Sequence, residues 1–149
     1  MVEVNIDGIV LTPLKIIEHP MGDVLHGMKK SEVGFTGFGE AYFSMINNGE
    51  IKGWNKHKRM TLNLVVPMGE VTFVIYDDRE GSKSNDRLFT VGLSPFNYQR
   101  LTIPPGLWMA FKGNGKNINL ILNVANMEHN PNEIDRLDLN QIDFNWKDL

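Results

Sequence analysis

The apolar residues of this chain come in short runs with period-two alternation, and a turn signal closes a run about every ten residues. In "TLNLVV", Leu62, Leu64 and Val66 share one face and Thr61, Asn63 and Val65 the other. In "EVTFVIYDD", Val71, Phe73 and Ile75 oppose Thr72, Val74 and Tyr76. "VNIDGIVLTPLKII", "AYFSMI", "RLFTVGL", "RLTI", "LWMAFKG" and "NINLILNV" supply further strands. Between runs stand Pro67-Met68-Gly69, Gly81 to Asn85, Pro95 to Asn97, Pro104-Pro105-Gly106 and Gly113-Asn114-Gly115. This spacing predicts an all-β sandwich or barrel. One exception is "HNPNEIDRL", where Asn130 as N-cap, Pro131 at N1 and Glu133 at N3 predict a short C-terminal helix, followed by "DFNW" as an extended end.

At 149 residues the chain suits a single domain, 1–149, with room for a core. The net charge of −3 gives no general attraction to nucleic acid, so any anion site must be local. The absence of cysteine excludes disulfides and thiolate zinc sites and fits a cytoplasmic protein. No apolar run approaches the ~20 residues of a membrane span. The N-terminal stretch, broken by Asp7 and Pro13, predicts no signal peptide.

One segment is strongly basic. Lys52, Trp54, Lys56, His57, Lys58 and Arg59 crowd into eight residues before a strand. Two readings stand side by side: solvated surface cations beside a core tryptophan, or a cluster that grips a phosphate-bearing ligand. Asparagines on strand faces are a second oddity. Asn119 and Asn123 share a face of "NINLILN", and Asn63 repeats the pattern on "TLNLVV". An unpartnered buried amide costs ~1–3 kcal/mol, so these faces meet either bulk water or a wet cavity.

The segments "GEAYFSMINNGEIKGW", "LNLVVPMGEVTFVIYDDREGS" and "LSPFNYQRLTIPPGLWMAF" resemble the dTDP-4-dehydrorhamnose 3,5-epimerase family of cupins, with the match running from about Gly22 to Trp146. The resemblance implies a cupin-type jelly-roll β-barrel, a homodimer, a nucleotide-diphosphate sugar as ligand and epimerisation without metal or other cofactor. It also implies a set of site positions, and several differ here. The family's Arg-Gly-Leu-His turn is Lys52-Gly53-Trp54-Asn55, which puts an asparagine at the position of the general base. The family's lysine position is Asn63, a family histidine is Met109, an early phosphate-binding arginine is Met21, and no tyrosine stands near Met127 and Glu128. An amide cannot accept a proton at neutral pH, which leaves His57 as the candidate base and Tyr76 as a candidate acid. Lys52, Trp54, Asn55, Lys56, Lys58, Asn63, Asn119 and Asn123 are the candidate substrate-binding residues. Asp77, Asp78 and Arg79 are expected to brace the barrel by an internal ion pair.

The leading expectation is isomerisation or epimerisation of a nucleotide-linked keto-sugar in surface polysaccharide synthesis. The alternatives are a catalytically inactive sugar-nucleotide-binding or partner-binding cupin, and a metal-dependent cupin enzyme. Against the last, Asn55-x-His57 and Pro104-x-Gly106-x-x-Met109 retain one nitrogen ligand where three or four are needed.

Overall fold

Two five-stranded antiparallel sheets face each other in a computed structural model that describes residues 3–149. Met1 and Val2, at the start of the N-terminal stretch read above, lie outside the described residues. The strands are β1 (Val10–Pro13), β2 (Ile16–Ile17), β3 (Val24–Leu25), β4 (Glu40–Ile46), β5 (Ile51–His57) and β6 (Leu62–Met68). They continue as β7 (Val71–Tyr76), β8 (Leu88–Leu93), β9 (Gln99–Ile103), β10 (Trp108–Gly113), β11 (Asn119–Ala125) and β12 (Ile134–Arg136). One sheet runs β1-β9-β6-β11-β4 and the other β12-β5-β10-β7-β8, while β2 and β3 form a small hairpin. Sequence neighbours repeatedly fall in opposite sheets, as a jelly roll requires. Among the described residues no helix is long and apolar enough to cross a membrane.

The inner faces make the main core. Leu62, Leu64 and Val66 of β6, Leu101 and Ile103 of β9, and Ile121 of β11 meet Val71, Phe73 and Ile75 of β7 and Val91 and Leu93 of β8. The alternation in "TLNLVV" therefore selects the correct inward face. The second sheet is covered on its outer side too. Trp54, Val74, Trp108 and Ala110 pack there against Ile142, with Leu137, Phe144 and Trp146 of the C-terminal tail closing over them. This double burial explains why Val71–Ile75 is buried at every position rather than at every second one.

The C-terminal region departs from the expected helix. Asn130 does cap, its side chain accepting from the Asn132 amide, and Pro131 sits at the start. The chain then makes only a single 3-10 turn, Pro131–Glu133, before β12 pairs with β5 through Ile134↔His57, Asp135↔Lys56 and Arg136↔Asn55. An open strand edge outcompetes a helix this short, because it satisfies the backbone and pulls Glu133 inward. Beyond β12 the tail makes two further such turns, Leu139–Gln141 and Trp146–Asp148, the last of them in place of a plain extended end.

Asp77 and Arg79 form the expected internal pair. The buried Asp77 carboxylate accepts from Arg79 Nε at 2.9 Å, from the Ser82 hydroxyl at 2.7 Å and from the Ser84 hydroxyl at 2.6 Å. Arg79 also donates to the Asp7 carbonyl at 2.8 Å, tying the N-terminal segment to the loop after β7. Asp78 faces away and pairs with Lys56 at 3.2 Å.

Candidate active site

The two sheets enclose a cavity of about 180 Å³ whose lining includes the solvent-exposed Tyr42 of β4 and Lys52 of β5. Its polar lining is Tyr42 and Ser44 from β4, Lys52, Asn55 and His57 from β5, and Asn123 from β11. Leu62, Leu64, Phe73, Met109, Phe111 and Ile121 make its apolar walls. The volume falls below the roughly 300–1,000 Å³ of a site that engulfs a drug-sized ligand. A cavity of this size takes one end of a larger molecule.

A bulge in β5 creates the polar cluster. Lys52 and Asn55 are three residues apart, so strict alternation places them on opposite faces. Here Asn55 pairs with Met109 and Lys52 with Phe111, so Gly53 and Trp54 together oppose Ala110. The extra residue turns both Lys52 and Asn55 inward and sends Trp54 out. Gly53 is required at this point: its φ is +146°, and a Cβ there runs into Ala110. The Lys52 ammonium donates to the Met45 carbonyl at 2.6 Å, across from β5 to β4.

His57 is 13% exposed and its Nδ1 pairs with Glu133 Oε1 in a short contact. The other carboxylate oxygen, Oε2, accepts the backbone amides of Arg59 at 3.1 Å and Met60 at 3.2 Å. Burial alone pushes the Glu133 carboxyl up. Hydrogen bonds from His57, Arg59 and Met60 outweigh that and hold it below the usual glutamate value. Glu133 is therefore ionised and only accepts, so Nδ1 of His57 carries the proton between them, and Nε2 is the ring nitrogen left for a ligand. The arrangement is a histidine–carboxylate dyad on a cavity wall, the form of a general base with a fixed tautomer.

Other sequence candidates lie elsewhere. Trp54 is fully buried under the C-terminal tail, its indole N–H on the Leu139 carbonyl and its ring against Trp146, so it offers no face to a ligand. Lys56 and Lys58 point away from the cavity, to Asp78 at 3.2 Å and Asp135 at 3.6 Å, and Lys56 also lies over the Trp108 ring. The basic cluster is thus largely an outer-surface feature matched by acids, and Lys52 alone among its lysines and arginine enters the cavity. Asn63 faces outward under the segment before β4, bonded to the Gly34 carbonyl and the Thr102 hydroxyl. Asn119 points inward but is consumed by the backbone of Ile46, Glu70 and Gly115. Tyr76 sits on the outer face of β7 and donates to Asp86 at 2.6 Å. That hydrogen bond, with burial and nearby carboxylates, pushes its phenol up to about 12. It is separated from His57 by the sheet. Met109 lines the cavity at the position of the family's histidine.

Tyr42 and Ser44 on the cavity wall, and the buried Glu133 that holds His57, are residues that the sequence reading did not single out for the site. Tyr42 and Ser44 had a usable signal, the inward phase of "AYFSMI" set by Ile46. Glu133 had none beyond its place near a helix start, because its partner is 76 positions away.

No family model matches the chain. A dTDP-sugar isomerase from Desulfovibrio desulfuricans G20, solved by crystallography, is 35% identical, superposes with a TM-score of 0.92, and is matched over 98% of this chain and 95% of that one. The chain belongs to the dTDP-sugar isomerase family. A stretch of 84 residues of this family member, 56% of its length, is 34% identical to a probable low-salt glycan biosynthesis epimerase of Haloferax volcanii. That stretch spans about half, 54%, of the haloarchaeal protein. The dTDP-4-dehydrorhamnose 3,5-epimerase of Elizabethkingia anophelis shares the fold with a TM-score of 0.82 at 16% identity, over 98% of this chain and 85% of that one. The jelly-roll barrel expected from the sequence resemblance is therefore the architecture of this isomerase-family chain.

Proposed function

We propose that this protein isomerises or epimerises a nucleotide-linked 4-keto sugar for glycan or surface polysaccharide synthesis, with His57 as the base. The observation that carries this reading is the His57–Glu133 dyad on the wall of a sugar-sized cavity. A proton on carbon next to a ketone is acidic enough for imidazole to remove once the enolate oxygen is stabilised. His57 Nε2 takes that proton, and the electron pair moves to the ketone oxygen. Lys52 is the cation that offsets the developing negative charge. Return of a proton to the same carbon from the opposite face inverts it. Return to the former carbonyl carbon, with a proton shift between the two oxygens, moves the ketone.

The sugar occupies the cavity, and the nucleotide extends from its mouth beside β4. The name of the structural relative, a dTDP-sugar isomerase, supports dTDP as the nucleotide. A cytoplasmic location goes with this reading. So does a homodimer: β4 is the terminal strand of its sheet, and Phe43 and Met45 stand 64% and 58% exposed on its outer side. Sedimentation velocity should return two chains per particle, and a monomer at micromolar concentration removes that part.

The function is tested with a panel of dTDP-linked and UDP-linked 4-keto sugars in heavy water. Deuterium should enter at a carbon next to the ketone, with product formation. Tight binding without solvent exchange would reduce the protein to a sugar-nucleotide binder.

A further inference from the structure

We propose that Asn123 is a positioning residue that turns the hydroxyl proton of Tyr42 into the cavity, making Tyr42 the proton donor to the sugar oxygen. This rests on the keto-sugar reading above. Asn123 is 2% exposed, in the middle of β11, directly across the ladder from Tyr42. Its two amide ends do different work. Oδ1 accepts the backbone N–H of Asn63 at 3.0 Å, and Nδ2 lies 3.0 Å from the Tyr42 hydroxyl.

The Asn63 amide settles which way Asn123 faces. A backbone N–H only donates, so the atom facing it must be the carbonyl oxygen. The NH₂ group then faces Tyr42, and since it too only donates, the phenol oxygen is the acceptor. The single phenol proton must go elsewhere. Among the described residues it has no acceptor, and Tyr42 lines the cavity. Tyr76 and Tyr98, in contrast, both spend their protons internally, on Asp86 and on the His26 carbonyl.

The amide is held in place by the sheet. Pairing between β6 and β11 ends at Leu64↔Asn123, and beyond it the Asn63 and Thr61 amides are satisfied by the side chains of Asn123 and Asn126. A rotation of Asn123 leaves a buried amide unpaired, which keeps Nδ2 on Tyr42. In the reaction, His57 removes the carbon-bound proton while the Tyr42 hydroxyl gives its own to the ketone oxygen, producing a neutral enol. The resulting phenolate still accepts the Asn123 N–H. On collapse the enol hydroxyl returns its proton to the Tyr42 phenolate, and carbon takes a proton from the His57 imidazolium or, for inversion, from water on the opposite face while His57 releases its own proton to solvent.

Asn123→Asp separates this role from sheet bracing, because a carboxylate still accepts the Asn63 amide but draws the phenol proton to itself. The variant should lose about 10²-fold in kcat with KM little changed. Tyr42→Phe should lose as much, and the double variant no more than either. Losses that multiply, or a folded Asn123→Asp enzyme with wild-type kcat, overturn the proposal. A readout independent of turnover is the ¹³Cζ resonance of Tyr42, one of only three tyrosines. It should move in Asn123→Asp while those of Tyr76 and Tyr98 stay. An unmoved resonance overturns the hydrogen-bond assignment even if no tested sugar is a substrate, whereas a moved resonance without turnover would leave the assignment standing and count against the keto-sugar reading alone. Should Asn123→Asp fail to fold, the half-exposed Tyr42 tolerates phenylalanine, and the side-chain ¹⁵N resonance of Asn123 must then shift in Tyr42→Phe. Its constancy would equally refute the pairing.

Discussion

His57→Gln lowers kcat for solvent deuterium incorporation by about 10²–10⁴-fold, with the affinity for the nucleotide sugar nearly unchanged. Glutamine keeps a hydrogen bond to Glu133 and fills similar space, so what disappears is the lone pair on Nε2. Glu133→Gln gives a loss of the same kind by another route. An amide in place of the carboxylate no longer obliges Nδ1 to carry the proton, and the ring then spends part of its time with Nε2 protonated and unable to act as a base. The carbonyl oxygen of the substituted amide still accepts the Arg59 and Met60 N–H groups, so Tm is the control that separates chemistry from folding. Stopped-flow or NMR exchange rates with the best sugar from the panel supply the numbers. Wild-type rates in His57→Gln would remove His57 from the reaction.

The second large effect is on stability. Asp77→Ala is expected to cost about 3 kcal/mol, the lower end for breaking a buried ion pair, since Arg79 is 28% exposed and water can partly serve it. In a chain of this length that is about 6–12 °C in Tm. Burial pushes the Asp77 carboxyl up, but the hydrogen bonds from Arg79, Ser84 and Ser82 together hold it far below the ordinary aspartate value. The sign of the pH dependence follows. A carboxylate whose folded pKa is depressed adds stability that is complete above its unfolded value of about 3.9 and is lost as pH falls below that. Glu133, also depressed, adds to the same acid limb. The gap between wild type and Asp77→Ala should therefore be flat from neutral pH to about 5 and narrow below 4. Urea melts at several pH values check this, and a gap that widens in acid contradicts it.

Particular residues show what could be read from the chain by itself. Leu62, Leu64, Val66, Val71, Phe73 and Ile75 announce two strands and their inner faces, because period-two burial is a local property. Turn residues bound most of the other strands in the same way, but β3, β5 and β12 are not among the runs they marked. The Asp77–Arg79 pair was expected from the family resemblance of its loop, and its partners are two residues apart. The direction of the Lys52–Arg59 segment was not. It depends on a bulge opposite Ala110 and on where Asp78 and Asp135 lie, and neither is encoded within the segment. Asn63 and Asn123 looked equivalent on paper, yet they point to opposite sides of one sheet, since β6 and β11 are in different phase.

The β character of this chain and its apolar faces follow from the order of its side chains, since hydrophobic alternation and turn chemistry act over a few residues. The dyad, the cavity and the tyrosine that faces it exist only after folding. His57 meets Glu133 across 76 positions and Tyr42 meets Asn123 across 81, and contacts at such distances are set by how the two sheets close, not by any neighbouring residue.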